Sequence, residues 1–250
     1  FWLIFEGSPL HVEPLAQHLG FSRALGRLNQ AQRVARRNAK SGESSGQGGS
    51  VGTAAGVGML LLSGGMIWVP SLHAQIVADP AAPGVQRPTV LSAANGVVQV
   101  NIQTPSPAGV SRNTYLQFDV AANGVILNNA RNNAGTQLGG QIQGNPWLAT
   151  GTARVILNEV NSASPSQLRG YLEVGGDRAE VIIANPAGIV CGGCGFINVG
   201  RSTLSTGVPV LSDGRLEGFR VSGGLIRVEG AGLDARSSDY TRLIARALEI

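Results

Sequence analysis

Apolar and polar residues alternate with a period of two in many short runs after residue 75. The alternation is clearest at residues 114–120 and 153–160, and similar runs occupy residues 97–102, 167–174 and 224–229. Such alternation is typical of strands that are buried on one face. No convincing amphipathic helix interrupts these runs before the last few residues, so the pattern predicts an all-β domain.

Glycine, asparagine, proline and serine separate the predicted strands. The word Ala-Ala-Asn-Gly-Val occurs at residues 93–97 and again at residues 121–125. Asparagine and glycine tolerate the positive φ angles that tight connections require. We therefore expect two tight turns, each joining antiparallel strands.

Two architectures fit these strands, an antiparallel sandwich and a parallel β-helix. Between residues 179 and 228 the strands are very short, the corners are glycine or asparagine, and helices that would cover a flat parallel sheet are missing. A solenoid covers itself by stacking its coils, so the parallel β-helix is favoured. Coils of roughly 20 residues predict about eight coils in a rod of about 40 Å. The Asn-Gly turns would then belong to antiparallel strands that cap the first coil.

Residues 1–74 have the order of a secretion leader. A basic stretch from Arg23 to Lys40 is followed by a flexible run, an uncharged segment at residues 51–69 and a proline. This order predicts a signal peptide that is cleaved between Ala74 and Gln75. The alternative is a membrane anchor at residues 51–69, although five glycines dilute its hydrophobicity and no basic cluster follows it.

Charge and residue usage exclude several classes of function for residues 75–250. This part carries 13 of the 19 basic and 12 of the 15 acidic residues, so it offers no basic stripe for nucleic acid. All three histidines and the single lysine precede residue 75. Most general acid–base catalysis, Schiff-base chemistry and zinc binding are therefore unavailable, and we expect neither an enzyme nor a metal or cofactor site.

Two Asn-Pro words stand out among the turns. They are Asn145-Pro146-Trp147-Leu148 and Asn185-Pro186-Ala187-Gly188-Ile189. Asparagine at the first position and proline at the second are typical of a type I turn, and Gly188 suits the fourth position.

The sequence around these turns is more specific than the turns themselves. Together with residues 151–160, 168–174, 179–188 and 194–198, they resemble the two-partner-secretion domain of filamentous-haemagglutinin-type exoproteins, which include contact-dependent growth-inhibition toxins. Members of that family usually carry Asn-Pro-Asn-Leu and Asn-Pro-Asn-Gly-Ile. Trp147 and Ala187 replace the third residue of each motif here.

The resemblance implies a right-handed parallel β-helix over residues 75–250, preceded by the leader. It also implies a secretion-directing domain, read by the periplasmic domains of a dedicated outer-membrane β-barrel transporter through the two Asn-Pro motifs. The protein would be secreted or displayed on the surface of a Gram-negative bacterium by way of the periplasm. Receptors on host or neighbouring cells would be bound by the rest of the exoprotein.

Cys191-Gly-Gly-Cys194 has two interpretations. A redox-active pair would need its first thiol at the amino terminus of a helix in an α/β fold, which nothing here indicates. A structural disulfide that closes a small glycine-rich loop fits an oxidising compartment better.

Two other functions are compatible with these residues. A carbohydrate-active β-helix enzyme would use the carboxylates that cluster in sequence at Glu173, Asp177 and Glu180, beside Arg178. The domain could also bind a glycan or receptor itself.

Overall fold

The computed structural model describes residues 2–6 and 76–250, and almost all of their regular structure is β-strand. The helical pieces in these ranges are two single 3₁₀ turns, Gly84–Gln86 and Pro146–Leu148. Across the same ranges, no helix has the length and hydrophobicity needed to cross a membrane. The leader, the Ala74–Gln75 cleavage point and the alternative anchor lie outside the described residues.

Three parallel sheets form the sides of a solenoid, and the chain passes through them in turn. Sheet A consists of β5 (Val110–Phe118), β9 (Val155–Val160), β12 (Ala179–Ala184), β15 (Val199–Ser205) and β20 (Tyr240–Ile244). Sheet B consists of β4 (Val98–Asn101), β6 (Val125–Asn129), β11 (Tyr171–Gly176), β14 (Cys194–Ile197) and β19 (Leu233–Asp234). Sheet C consists of β10 (Ser166–Leu168), β13 (Ile189–Cys191), β18 (Leu225–Val228) and β21 (Ala247–Glu249).

Antiparallel strands cover both ends of sheet A and one end of sheet B. At the first coil, β2 (Ile76–Ala78) pairs with β5, and β3 (Thr89–Ser92) pairs with β4. At the other end of sheet A, β1 (Trp2–Glu6) pairs with β20. A covered edge cannot recruit a strand from another molecule. The predicted parallel β-helix with antiparallel capping strands is therefore confirmed.

The interior consists of columns of side chains, because each coil repeats the inward positions of the coil before it. In sheet A, Asn158, Ile183, Leu204 and Leu243 are aligned across four neighbouring strands and are all buried. The column is polar at its start, where Tyr115 donates a hydrogen bond from its hydroxyl to Asn158 Oδ1 at 3.0 Å. Apolar stacking then forms one continuous core along the rod.

The expectation of about eight coils is wrong. Sheets A and B each contain five parallel strands in the described ranges, so five coils are formed. Two antiparallel hairpins use the remaining residues: β7 (Ala134–Thr136) with β8 (Gly140–Ile142), and β16 (Val208–Ser212) with β17 (Arg215–Arg220). They leave the second and fourth coils and pack on the outside of the solenoid.

The two Asn-Gly turns have different roles. Each is closed by the same hydrogen bond, from Gly96 N to Ala93 O and from Gly124 N to Ala121 O, both 2.9 Å long. The first joins the antiparallel strands β3 and β4, as expected. The second only turns a corner, because the strand that follows it pairs in parallel with β4 of the coil before. The expectation of antiparallel strands is wrong for this second turn.

Both hairpins bury outward-facing apolar side chains. Leu211, Leu216 and Phe219 of the β16–β17 hairpin pack on the outer face of sheet A, against residues such as Leu157 and Ile182. The β7–β8 hairpin covers Ile126 on the outer face of sheet B in the same way. The solenoid therefore has an apolar layer outside its walls as well as a core within them.

Candidate functional site: the Asn-Pro turns

Both predicted Asn-Pro turns are present and closed by hydrogen bonds. Leu148 N donates to Asn145 O at 3.2 Å, and Gly188 N donates to Asn185 O at 3.0 Å. The first turn leads from sheet B towards sheet A, and the second leads from sheet A towards sheet C. The structure therefore places them at different corners of the three-sided coil and does not unite them in one site.

Asn145 is buried and connects the first two coils. Its amide nitrogen donates to Ile102 O at 2.8 Å, after β4, and to Asn128 O at 2.9 Å, in β6. Its amide oxygen accepts from Trp147 N at 3.0 Å within the turn. Both donors and the acceptor are thus used inside the domain, so little of this side chain is left for a partner.

Asn185 has the same role one corner further on. It is completely buried, and its amide nitrogen donates to Ser164 O and to Ser166 Oγ, both at 3.0 Å. Its amide oxygen accepts from Ala187 N at 2.9 Å, while its backbone N–H donates to Ser205 O at 2.9 Å. One residue therefore joins three successive coils.

The remaining motif residues divide between core and surface. Leu148 and Ile189 are fully buried in the apolar core, and Gly188 is buried beside them. Pro146 and Trp147 are exposed, with Trp147 at 44%, and Pro186 and Ala187 are half-buried. The indole N–H of Trp147 donates to Thr89 Oγ1 at 3.2 Å on the capping strand β3. Among the motif residues, the outward-facing ones are therefore the proline and the third residue.

Cys191 and Cys194 are joined by a disulfide, with their Cα atoms 5.3 Å apart. Cys191 ends β13 and Cys194 begins β14, so the bond closes the corner between sheets C and B. Gly192 N donates to Leu168 O and Gly193 N donates to Gly232 O, which fixes this corner to the coils on either side. The first cysteine ends a strand, so the helix amino terminus of a redox-active pair is missing from this place.

The carboxylates of the enzyme alternative point to different sides of the molecule. Glu173, on sheet B, accepts hydrogen bonds of 2.7 Å from the backbone N–H groups of Gln137 and Leu138. Glu180, on sheet A, forms ion pairs with Arg201 and Arg242, at 2.7 and 3.5 Å. Each carboxylate is therefore engaged in holding the fold, and the pair has no shared cleft.

The other two members of that sequence cluster also have structural partners. Asp177 accepts a hydrogen bond from the Thr152 hydroxyl at 2.8 Å, and Arg178 pairs with Asp239 at 3.0 Å. Within residues 76–250, no group of three or more histidine, cysteine or acidic side chains is arranged to hold a metal ion.

Sequence reasoning missed the inter-coil role of asparagine. A signal was available in β9, where Asn158 occupies an inward position between apolar neighbours. An unpaired amide is costly to bury, so an asparagine in an apolar column implies a specific hydrogen-bond partner.

Comparison with known proteins agrees with this geometry. A family model described as the TPS secretion domain matches residues 74–250. A protein named toxin CdiA from Yersinia pestis is 60% identical over 180 residues, which are 72% of this chain and 6% of that protein. A protein named tRNA nuclease CdiA-2 from Burkholderia pseudomallei is 51% identical over 186 residues, 74% of this chain and again 6% of the relative. The chain thus spans about one-sixteenth of these relatives.

A solved structure shows the same fold. The crystal structure of the filamentous hemagglutinin secretion domain superposes with a TM-score of 0.63 at 38% identity, covering 69% of this chain and 56% of that one. The residues matched by the family model contain both Asn-Pro turns. The chain therefore belongs to the TPS secretion domain family.

Proposed function

We propose that this domain directs the export of a much longer exoprotein by docking on the periplasmic domains of a dedicated outer-membrane β-barrel transporter. The observation that carries the proposal is the match of residues 74–250 to the TPS secretion domain. The exoprotein would travel through the periplasm and finish on the surface of a Gram-negative cell or outside it. The domain itself would not be an enzyme.

Burial within the turns indicates which residues the transporter can contact. Asn145 and Asn185 are enclosed and fully hydrogen-bonded, whereas Pro146 and Trp147 are exposed. Recognition would therefore use the outer surface of the turns, and the asparagines would keep that surface in shape. Substitution of the third motif residue by tryptophan is compatible with this division because the position faces solvent.

A second part of the proposal concerns folding after export. Each coil offers its neighbour a set of parallel edges and aligned inward side chains, so a folded first coil lowers the cost of ordering the next. The antiparallel caps block growth on one side of the first coil. Coils would then be added only at the other end, once cleavage of the leader has removed β1 from the edge of β20.

The export proposal can be tested with a secretion assay in cells that carry the cognate transporter. Asn185→Ala combined with Pro186→Ala should reduce both export and thermal stability, because it removes the inter-coil amide and the fixed φ angle. Pro146→Ala combined with Trp147→Ala should reduce export and binding to the purified periplasmic domains while thermal unfolding changes little. Asp177→Asn is the control and should be exported normally.

Each outcome separates structure from recognition. If the exposed Pro146–Trp147 pair can be replaced without loss of export or binding, the transporter does not contact this turn. If both turns can be replaced without loss of export, the secretion-directing proposal itself is wrong.

A further inference from the structure

A cleft of about 540 Å³ runs between the outer face of sheet A and strand β17. Five consecutive residues of β17, from Arg215 to Phe219, form one wall of the cleft. If the cleft lay against one face of β17, only every second residue of the strand would line it, because side chains alternate between the two faces. The consecutive run therefore shows that the cleft follows the edge of the strand. No residue of β16 lines it, so this is the edge that has no strand partner in the described part of the chain.

The orientation of the hairpin gives the cleft its direction. The base of the hairpin is fixed in the fourth coil, where the Thr206 hydroxyl donates to Gly223 O at 2.8 Å. Its tip reaches the first coil, where the Ser106 hydroxyl donates to Gly214 O at 2.7 Å. Strand β17 therefore crosses the coils, and the floor of the cleft takes residues from all five parallel strands of sheet A, which span about 19 Å. An extended peptide of five or six residues has about this length.

Two buried donors in the floor of the cleft have no acceptor. Thr203 and Arg242 face each other on β15 and β20, and both line the cleft. Thr203 Oγ1 and Arg242 Nε are buried without a hydrogen-bond partner among the described residues, and Thr203 is only 1% exposed. Buried donors in native proteins are nearly always satisfied. An acceptor oxygen that belongs to a ligand would complete both.

The charges around these donors favour a carboxylate. Arg201, Arg215 and Arg242 line the cleft with only two acidic residues, Glu180 and Glu217. The Glu180 carboxylate is already shared by Arg201 and Arg242. The Tyr240 ring lies 5.9 and 5.2 Å from the same two guanidinium groups, which restricts their positions. Hydrogen bonds from guanidinium to carboxylate are about twice as strong as neutral ones.

We propose that this cleft binds an extended acidic peptide segment of a protein partner, which adds to β17 as a third strand. Arg215 lies at the tip end of the cleft and Arg242 at the far end, with Val155 and Ile182 between them. Acidic side chains at the two ends and an apolar side chain in the middle match this order. Residues two apart in a strand point to the same side, so the three positions are the first, third and fifth of the peptide. The proposal rests on the cleft alone and does not require the export proposal.

A capped five-residue peptide tests it, with glutamate at positions one and five, valine at position three and serine between them. Binding to the purified full chain is measured by fluorescence anisotropy at low salt. Arg215→Glu should weaken binding about tenfold, because it reverses an exposed charge at one end of the cleft. Arg220→Glu makes the same change on the same strand outside the cleft and should alter binding less than about twofold. Glu217→Gln should tighten binding.

Two further probes distinguish the mode of binding. A peptide methylated on its backbone nitrogens keeps its charge but loses its donors, so it should bind far more weakly if it adds as a strand. A short oligogalacturonate carries carboxylates without a peptide backbone and should not compete. The proposal is overturned if the glutamate peptide does not saturate by millimolar concentration, or if Arg220→Glu weakens binding as much as Arg215→Glu. Equal binding of the methylated peptide, or stronger binding of the oligogalacturonate, would also overturn it.

Discussion

Asparagine side chains connect neighbouring coils at several corners of this solenoid. Besides Asn145 and Asn185, Asn129 bonds both to Ala153 and to Asp177, and Asn198 donates to Val174 O and Gly176 O. A primary amide has two donors and one acceptor, so it can satisfy backbone groups on two coils at once. A carboxylate has no hydrogen-bond donors, and an aliphatic side chain has neither donors nor acceptors. Asparagine is therefore hard to replace where the backbone hydrogen bonds between coils are interrupted.

Replacing Asn185 with alanine should lower the free energy of unfolding by about 2–4 kcal/mol, because it leaves the buried Ser166 hydroxyl and two partly buried backbone groups without this partner. Urea-induced unfolding of the purified domain measures this change. Ala187→Asn, at the half-buried third position of the same turn, is the control and should change stability by less than about 0.5 kcal/mol. A loss for Asn185→Ala as small as that of the control would mean that the amide does not hold the coils together.

The carboxyl group of Asp234 gives the fold an acid-sensitive contact. Two bonds from the Arg236 guanidinium, at 2.9 and 2.7 Å, and one of 2.7 Å from the Tyr171 hydroxyl hold the pKa of Asp234 well below its usual range. A lowered pKa in the folded state adds stability that is fully present above about pH 4 and is lost as the pH falls below that value. Unfolding measured between pH 7 and pH 2 should therefore show a smaller acid loss in Asp234→Asn than in the unmodified protein. Parallel curves for the two proteins would contradict this assignment.

At the scale of the element, alternation predicted the strands well but could not show what lies outside them. Residues 181–183 are three consecutive apolar residues in β12, because Val181 and Ile183 face the core while Ile182 faces the β16–β17 hairpin. The hairpin comes from residues more than 20 positions further along the chain, and the sequence around residues 181–183 does not predict where it packs. The predicted number of coils was wrong because a hairpin that leaves a coil also consists of short strands. The sequence alone does not distinguish such a hairpin from a further coil.

For the Asn-Pro turns, the sequence predicted the backbone geometry but not the contacts of the asparagine side chains. Their hydrogen-bonded geometry followed from local preferences of asparagine and proline. The burial of the asparagine side chains depends on backbone groups of other coils, such as Ile102 O for Asn145. Those contacts are set by the register of the stack, which the turn sequence does not contain.

Two side chains attach the tip of the β7–β8 hairpin by hydrogen bonds: the Glu173 carboxylate, and the Asn95 amide, which donates to Leu138 O at 2.7 Å. Glu173 receives both Gln137 N and Leu138 N, so Glu173→Gln would remove one acceptor and place an amide donor against a backbone donor. Hydrogen exchange at residues 137 and 138 should become markedly faster in this variant, while the strands of sheet A keep their protection. Asp177→Asn is the matched control, and equal protection in both variants would show that the Glu173 carboxylate does not hold the tip.

The disulfide stabilises the domain only modestly, because it closes a very short loop. The chain-entropy relation gives about 2 kcal/mol for a loop of this length. Mass spectrometry after alkylation without reductant should leave Cys191 and Cys194 of the exported protein unlabelled, and reduction should lower stability by about that amount. Two free thiols in exported protein would rule out the structural disulfide.

For the whole molecule, we expect the capping strands to keep the solenoid monomeric. The parallel edges of β4 and β5 are covered by β3 and β2, which belong to the first 17 described residues of the domain, Ile76 to Ser92. Without this cover, both edges would offer unpaired backbone groups to another chain.

Deleting residues 76–92 should therefore cause concentration-dependent association, which size-exclusion chromatography with light scattering detects. Deleting the β7–β8 hairpin exposes apolar surface but leaves β2 and β3 in place on β5 and β4, so it serves as the comparison. Association in the hairpin deletion alone would show that apolar surface, and not an open edge, controls assembly.

The β16–β17 hairpin should determine how the solenoid unfolds under a pulling force. Repeat proteins whose units contact only their neighbours can lose those units one at a time from an end. Here the bond from Ser106 to Gly214 joins positions 108 residues apart and fastens the fourth coil to the first. A pulling force applied to the first coil would meet this strap before the intervening coils could peel away singly. The first four coils should consequently yield in one cooperative event, and stepwise unravelling would begin only after the strap is released.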